Sequence, residues 1–220
     1  MRSGERVDQA QALYLRAVVE GDAGALAQAR VLLNDVEADL ALARGQVMHG
    51  EFLHARAQAE GDARENPDEL RSFERAAQLY NHLNDERGQA EALFWIGCFH
   101  QVVRRDNDTA VPVLERALAL AGQTGDQATA AEALRHLGIA ALAAGDPLEA
   151  RARLEESTAL RRQLGFDAGV AANLVGLAYV ALNQDQPEIA RAHLDEAAAL
   201  AESASAHAIL DQVSEARSLL

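Results

Sequence analysis

Lysine is absent from this 220-residue sequence: all 20 basic side chains are arginine, set against 34 carboxylates, for a net charge of −14. Such a field repels phosphate backbones and anionic membrane surfaces, so nucleic acid and membrane are not expected partners. The arginine-only usage reads as genome composition and implies no binding task. Cysteine is nearly absent too. The single Cys98 cannot form an internal disulfide, and no Cys-x2-Cys or His-x3-His spacing offers a metal site. His49 and His54 are five apart and leave a helix on different faces. No metal and no cofactor are therefore expected. Cys98 sits in an aromatic helical stretch and reads as a buried, inert thiol.

Long apolar runs are missing as well, and the opening Met1-Arg-Ser-Gly-Glu-Arg-Val-Asp lacks the apolar core of a signal peptide. A cytoplasmic location is the expectation. Aromatic and β-branched residues are scarce while alanine and leucine dominate, which points to an all-helical chain. Gly21 and Gly24 imitate part of a phosphate loop, but no strand precedes them and no Lys-Ser/Thr follows, so they read as a turn.

What the sequence does contain is a repeat. Phe73-Glu-Arg-Ala-Ala-Gln-Leu79 recurs as Leu114-Glu-Arg-Ala-Leu-Ala-Leu120, Leu154-Glu-Glu-Ser-Thr-Ala-Leu160 and Leu194-Asp-Glu-Ala-Ala-Ala-Leu200, at intervals of 41, 40 and 40 residues. A fixed period of this length marks a stacked array of helix pairs. One array over residues 1–220 is expected: a degenerate repeat over 5–35, a long repeat over 36–85, regular repeats over 86–126, 127–166 and 167–205, and a capping helix over 206–220. Within the first part, one helix is expected to close at Asn34-Asp35 and the next to run from Val36 to Glu60, leaving through Gly61-Asp62. Asp85, Asp126 and Asp167 stand as capping carboxylates before first helices. Asn66-Pro67-Asp68-Glu69 and Asp146-Pro147-Leu148-Glu149 combine a cap, a first-turn proline and a glutamate able to bond back, and Pro187 repeats the second proline.

Small residues recur at fixed places: Gly97, Gly138 and Ala178 in first helices, Ala110, Ala150 and Ala190 where second helices begin, then Ala117, Ser157 and Ala197. Large ones alternate with them, as Leu93, Leu134 and Leu174, then Ile96, Leu137 and Leu177. Small opposite large lets two helices interlock closely. This register over residues 86–203 resembles the tetratricopeptide repeat. Two features depart from it: the period is about 40 where the usual repeat has about 34, and the proline that often ends its second helix is missing. HEAT-like pairs share the period, whereas the alternating Gly/Ala positions favour the tetratricopeptide pattern. Helices this long resemble the repeat regions of bacterial signal-responsive regulators. The resemblance implies an all-α, right-handed superhelical solenoid of antiparallel pairs whose first helices line a concave face.

Carried over by register, that face would present Glu91, Phe94, Cys98 and Gln101, then Glu132, Arg135, Ile139 and Leu142, then Val175, Tyr179 and Leu182. A lining that runs from polar to apolar suits an extended peptide with a carboxylate near Arg135. The lysines and asparagines of the family's carboxylate clamp are not in place. A non-catalytic adaptor or scaffold that binds a protein or peptide segment is the first expectation, with self-association through terminal repeats as a further option. The alternative is a small-molecule pocket or enzyme site. Phe94, Trp95 and Phe99 cluster with His100 and Arg104, Arg135-His136 occupies the matching part of the following helix, and His49, Phe52 and Arg56 share a face upstream. Together His49, Trp95, His100, Arg104, Arg135 and His136 would suit an anionic small molecule or acid-base chemistry.

Overall fold

Turn chemistry repeats along the chain and sets where its helices end. Gly125, Gly145 and Gly165 adopt left-handed φ of +69°, +82° and +68°, and Asn84, Arg105, Asp185 and Ser205 take the same conformation without being glycine. After most of these the next backbone N–H reaches back to close the helix end, as Asp126 to the Ala121 carbonyl and Asp146 to that of Ala141, both at 2.9 Å. Asp85, Asp126 and Asp146 then cap the following helix, their side chains accepting from the N–H of Gly88, Thr129 and Glu149. Chain reversal and helix start are thus written into adjacent residues.

A computed structural model describes residues 3–58 and 64–220. Among these the chain is all-helical: α1 (Ser3–Glu20), α2 (Ala23–Gln58), α3 (Pro67–Leu83), α4 (Glu86–Val102), α5 (Asn107–Thr124), α6 (Gln127–Ala143), α7 (Pro147–Gln163), α8 (Asp167–Asn183), α9 (Pro187–Ser203) and α10 (His207–Arg217). Within each of the two units described below, each helix packs chiefly on its chain neighbours, as in a tetratricopeptide-like solenoid. None is long and apolar enough to cross a membrane. The chain divides into two compact units, residues 1–106 and 107–220.

In the first unit the 36-residue α2 is the spine, with α1 and α3 packed along it and α4 on α3. The helix break expected at Asn34-Asp35 does not occur. Asn and Asp cost only a few tenths to about 0.7 kcal/mol in a helix interior, and Asp35 is held by Arg6 of α1 at 3.0 Å, which favours continuation. The exit expected through Gly61-Asp62 lies outside the described residues. The core gathers Ala38, Leu42, Phe73, Ala76, Leu79 and Tyr80, with Trp95 and Ile96 packed against it. Gly45 is required there: a Cβ would stand 2.4 Å from the Phe73 ring.

In the second unit the small positions read from the sequence are the buried contacts. Ala110, Ala117, Ala150, Ser157, Ala190 and Ala197 are fully enclosed, as are Leu114, Leu154 and Leu194. A Cβ on Gly138 would meet Leu154 Cγ at 2.9 Å, the close approach that the small–large alternation implies. Ser157 donates to the Ala131 carbonyl at 2.6 Å and accepts from Asn173 at 2.8 Å, which satisfies the one polar residue at a small position. Asp167 is not a cap: Phe166 occupies that place without a side-chain cap bond, because this repeat is 40 residues long and the expectation was placed one residue late. The terminal helix α10 packs on α8 and α9, burying Val213 and Ala216.

Candidate functional site

Most of the apolar side chains left open to solvent lie on two helices. Of the seventeen large apolar side chains exposed among the described residues, ten are on α1 and α2. Four of them, Leu26, Leu33, Leu40 and Val47, are spaced by seven along α2 and are 45–62% exposed. Seven residues are nearly two turns, so they form one stripe along the helix, about 31 Å from end to end. Val7, Tyr14 and Arg30 flank its first half in a groove of about 520 Å³. The second half opens into a groove of about 740 Å³ between α2 and α3, lined by Leu40, Arg44, Val47, Met48, Arg71 and Arg75. Two of its arginines are neutralised locally, Arg75 by Glu37 at 2.8 Å and Arg71 by Asp68 at 2.6 Å. The surface is an apolar strip with a charged border, the form that receives an amphipathic helix.

A second cluster lies inside the first unit. His49 of α2 holds Glu69 of α3 through Nδ1 to Oε1 at 2.7 Å, and its Nε2 faces the Cys98 thiol of α4 at 3.7 Å. All three residues are buried. Glu69 was expected to bond back to the Asn66 cap, but it turns inward to His49 because α2 passes directly over the start of α3. Trp95 closes one side, edge-on to His49 at 5.5 Å and to Phe94 at 5.1 Å, and stacked on Phe73 at 5.6 Å.

Within the first unit the structure brings two members of the expected small-molecule pocket into contact. His49 and Trp95 meet. Arg104 pairs with Glu65 at 2.7 Å and lies over Phe99 at 5.0 Å. His100 packs edge-on against Phe99. Burial, reinforced by Arg104, holds the His100 imidazole below its ordinary value of 6.5 against the opposing pull of Asp106, Glu74 and Glu65. Arg135 and His136 belong to the second unit.

The expected groove lining is divided in the same way. Glu91, Phe94 and Gln101 are in the first unit; Phe94 is buried against Trp95 and belongs to the core instead of an open face, and Glu91 accepts from Gln46 at 3.2 Å. In the second unit Glu132 is drawn to Arg161, an ion contact at 2.7 Å to a buried guanidinium that also donates to the Gly169 carbonyl at 2.8 Å. Desolvation lowers the Arg161 pKa, and Glu132 opposes it. Tyr179 of α8 is half-buried, its phenol raised first by burial and then by Glu215 of α10. Of the other expected lining residues on α6, Ile139 is 37% exposed, while Arg135 and Leu142 are half-buried, Leu142 against the core. The stripe on α2 and the Glu69–His49–Cys98 relay were both missed from sequence. The seven-residue spacing was present as a signal for the first; nothing local marks the second.

Comparison with known proteins agrees with this architecture. The model of the tetratricopeptide repeat family matches residues 89–163. Among solved structures, the crystal structure of BtubC (BKLC) from P. vanneervenii superposes with a TM-score of 0.51 over 92% of this chain and 91% of that one, at 16% identity, which shows a shared fold. No curated protein matches the sequence. With the buried small positions and the packing of each helix on its neighbours in agreement, residues 89–163 match the tetratricopeptide repeat family and the described residues have a tetratricopeptide-like fold.

Proposed function

We propose that this protein is a non-catalytic adaptor that receives an amphipathic helix of a partner protein along α2. Tetratricopeptide repeats generally mediate protein–protein interaction. The observation that carries the finer reading is the stripe of Leu26, Leu33, Leu40 and Val47, exposed on a helix otherwise packed by α1 and α3. Apolar side chains every seven residues form one seam of a coiled coil, and a partner helix with the same period fills it knob by knob. A stripe of this length takes roughly three heptads of partner. The border of Arg30, Glu37 and Arg44 alternates in sign and favours a partner with the complementary order, which fixes direction and register.

A second reading keeps the face expected from the sequence. Arg135 is half-buried and Ile139 is 37% exposed on α6, which touches α8, and an extended segment with a carboxylate would engage that helix there. Affinity capture from the native cell extract with wild type, Leu33→Glu, Leu40→Glu and Arg135→Glu separates the two. The first reading predicts a protein held by wild type and Arg135→Glu and lost from both leucine variants. Loss with Arg135→Glu alone moves the binding site to α6. The leucines are half-exposed, so their replacement is expected to change stability by no more than about 0.5 kcal/mol.

A further inference from the structure

We infer that Cys98 is an imidazole-activated thiol and a site of oxidation by small neutral peroxides, independent of the docking surface on α2. The residues form a relay in which each member orients the next. Glu69, fully enclosed, is an acceptor when ionised, so the His49 Nδ1 that faces it at 2.7 Å carries the proton. That leaves Nε2 as the basic nitrogen of the neutral ring, 3.7 Å from Cys98 Sγ and able to take the thiol proton. The order carboxylate, imidazole, thiol is that of an activated nucleophile. Its members come from three helices, so the packing of α2, α3 and α4 holds the geometry.

A second observation shows that the relay is not a closed ion pair. Glu69 Oε2 is buried and has no hydrogen-bond partner among the described residues. An enclosed carboxylate oxygen without a donor is costly in a site that serves packing alone. The carboxylate faces the His49 nitrogen opposite the one that faces the thiol, so a proton passed to Nε2 is met by an acceptor across the ring.

The site is enclosed, with Cys98 3% and His49 5% exposed, and this sets the reagent class. Charged or bulky oxidants are excluded, whereas hydrogen peroxide is close to water in size and neutral. The step balances within the site. Cys98 gives its proton to His49 Nε2, and the thiolate attacks one peroxide oxygen. An S–O bond forms as the O–O bond breaks, and the departing hydroxide takes the proton from His49 and leaves as water. Sulfur is oxidised by two electrons to a sulfenic acid and the peroxide is reduced. The 220 residues hold no second cysteine to condense with the product, so an external thiol is needed to reverse it.

The test is treatment of the full chain with dilute hydrogen peroxide for timed intervals, removal of the peroxide with catalase, unfolding in urea with dimedone present so that the trap reaches Cys98, and mass spectrometry, with circular dichroism of the untreated proteins reporting the fold. Wild type is expected to label at least ~10-fold faster than His49→Gln or Glu69→Gln, and added imidazole is expected to restore part of the rate in His49→Ala. Labelling that is unchanged or faster in the folded glutamine variants overturns the proposal. Should the His49 variants fail to fold, Glu69→Gln, which keeps the shape of the side chain, decides alone: an unimpaired rate rejects the relay and a reduced rate supports it.

Discussion

His100 and His193 show how single side chains give this fold a pH dependence. Both imidazoles are held below their ordinary value of 6.5, first by burial; Arg104 adds to the effect at His100 and Arg151 at His193, with nearby carboxylates opposing. The fold therefore prefers them neutral, while the unfolded chain takes up protons near the ordinary value. Their contribution to stability is present above that value and is lost as pH falls through it towards the depressed folded values. Asp22 and Glu65, also held low, act only below their ordinary values of 3.8 and 4.5, so the two windows do not overlap. The urea midpoint of the wild type is expected to fall between about pH 7.5 and about pH 5.5, and the double variant His100→Gln/His193→Gln is expected to lose less over the same interval. An equal fall in both proteins would place the pH dependence elsewhere.

At the scale of the helix, α2 owes its packing to an absent side chain. Gly45→Ala gains roughly 1 kcal/mol of helix propensity, but its Cβ would overlap the enclosed Phe73 ring, whose nearest carbon is 2.4 Å away. A net loss of about 1–3 kcal/mol is expected by chemical denaturation; a more stable variant would show that Phe73 can move aside.

The same helix marks where sequence reading succeeds and where it stops. Gly125-Asp126 and Gly145-Asp146 announce both the reversal and the next helix, because left-handed φ and capping are local demands. The alternation of Gly138 with Leu134 and Leu137 announces the interlock, because its period follows from helix geometry. Asn34-Asp35 misled because a weak local preference was outweighed by contact with Arg6 across to α1. Splitting α2 there also severed Leu26 and Leu33 from Leu40 and Val47, so a stripe fully present in the sequence lost its continuity. The relay was illegible for a different reason: His49, Glu69 and Cys98 are joined only by tertiary packing, and Glu69 carried a plausible local role as a capping-box residue.

For the whole molecule, buried small residues hold repeated helix pairs together, and open apolar surface is concentrated at the first two helices. On the function proposed above, stability and recognition fall in different places: substitutions at Ala150 or Gly138 are expected to act on the fold, and those at Leu33 or Leu40 on binding. The most direct measurement is photo-cross-linking in the native cell with a benzophenone amino acid placed singly at Leu33, Leu40, Ile139 or Leu148. Leu148 on α7 is the control, since at 73% exposed it is more open than any member of the stripe. Adducts to one partner protein from positions 33 and 40, and none from 139 or 148, are the predicted result. Adducts from 139 or 148 with none from 33 and 40 would contradict the assignment of α2 as the recognition helix.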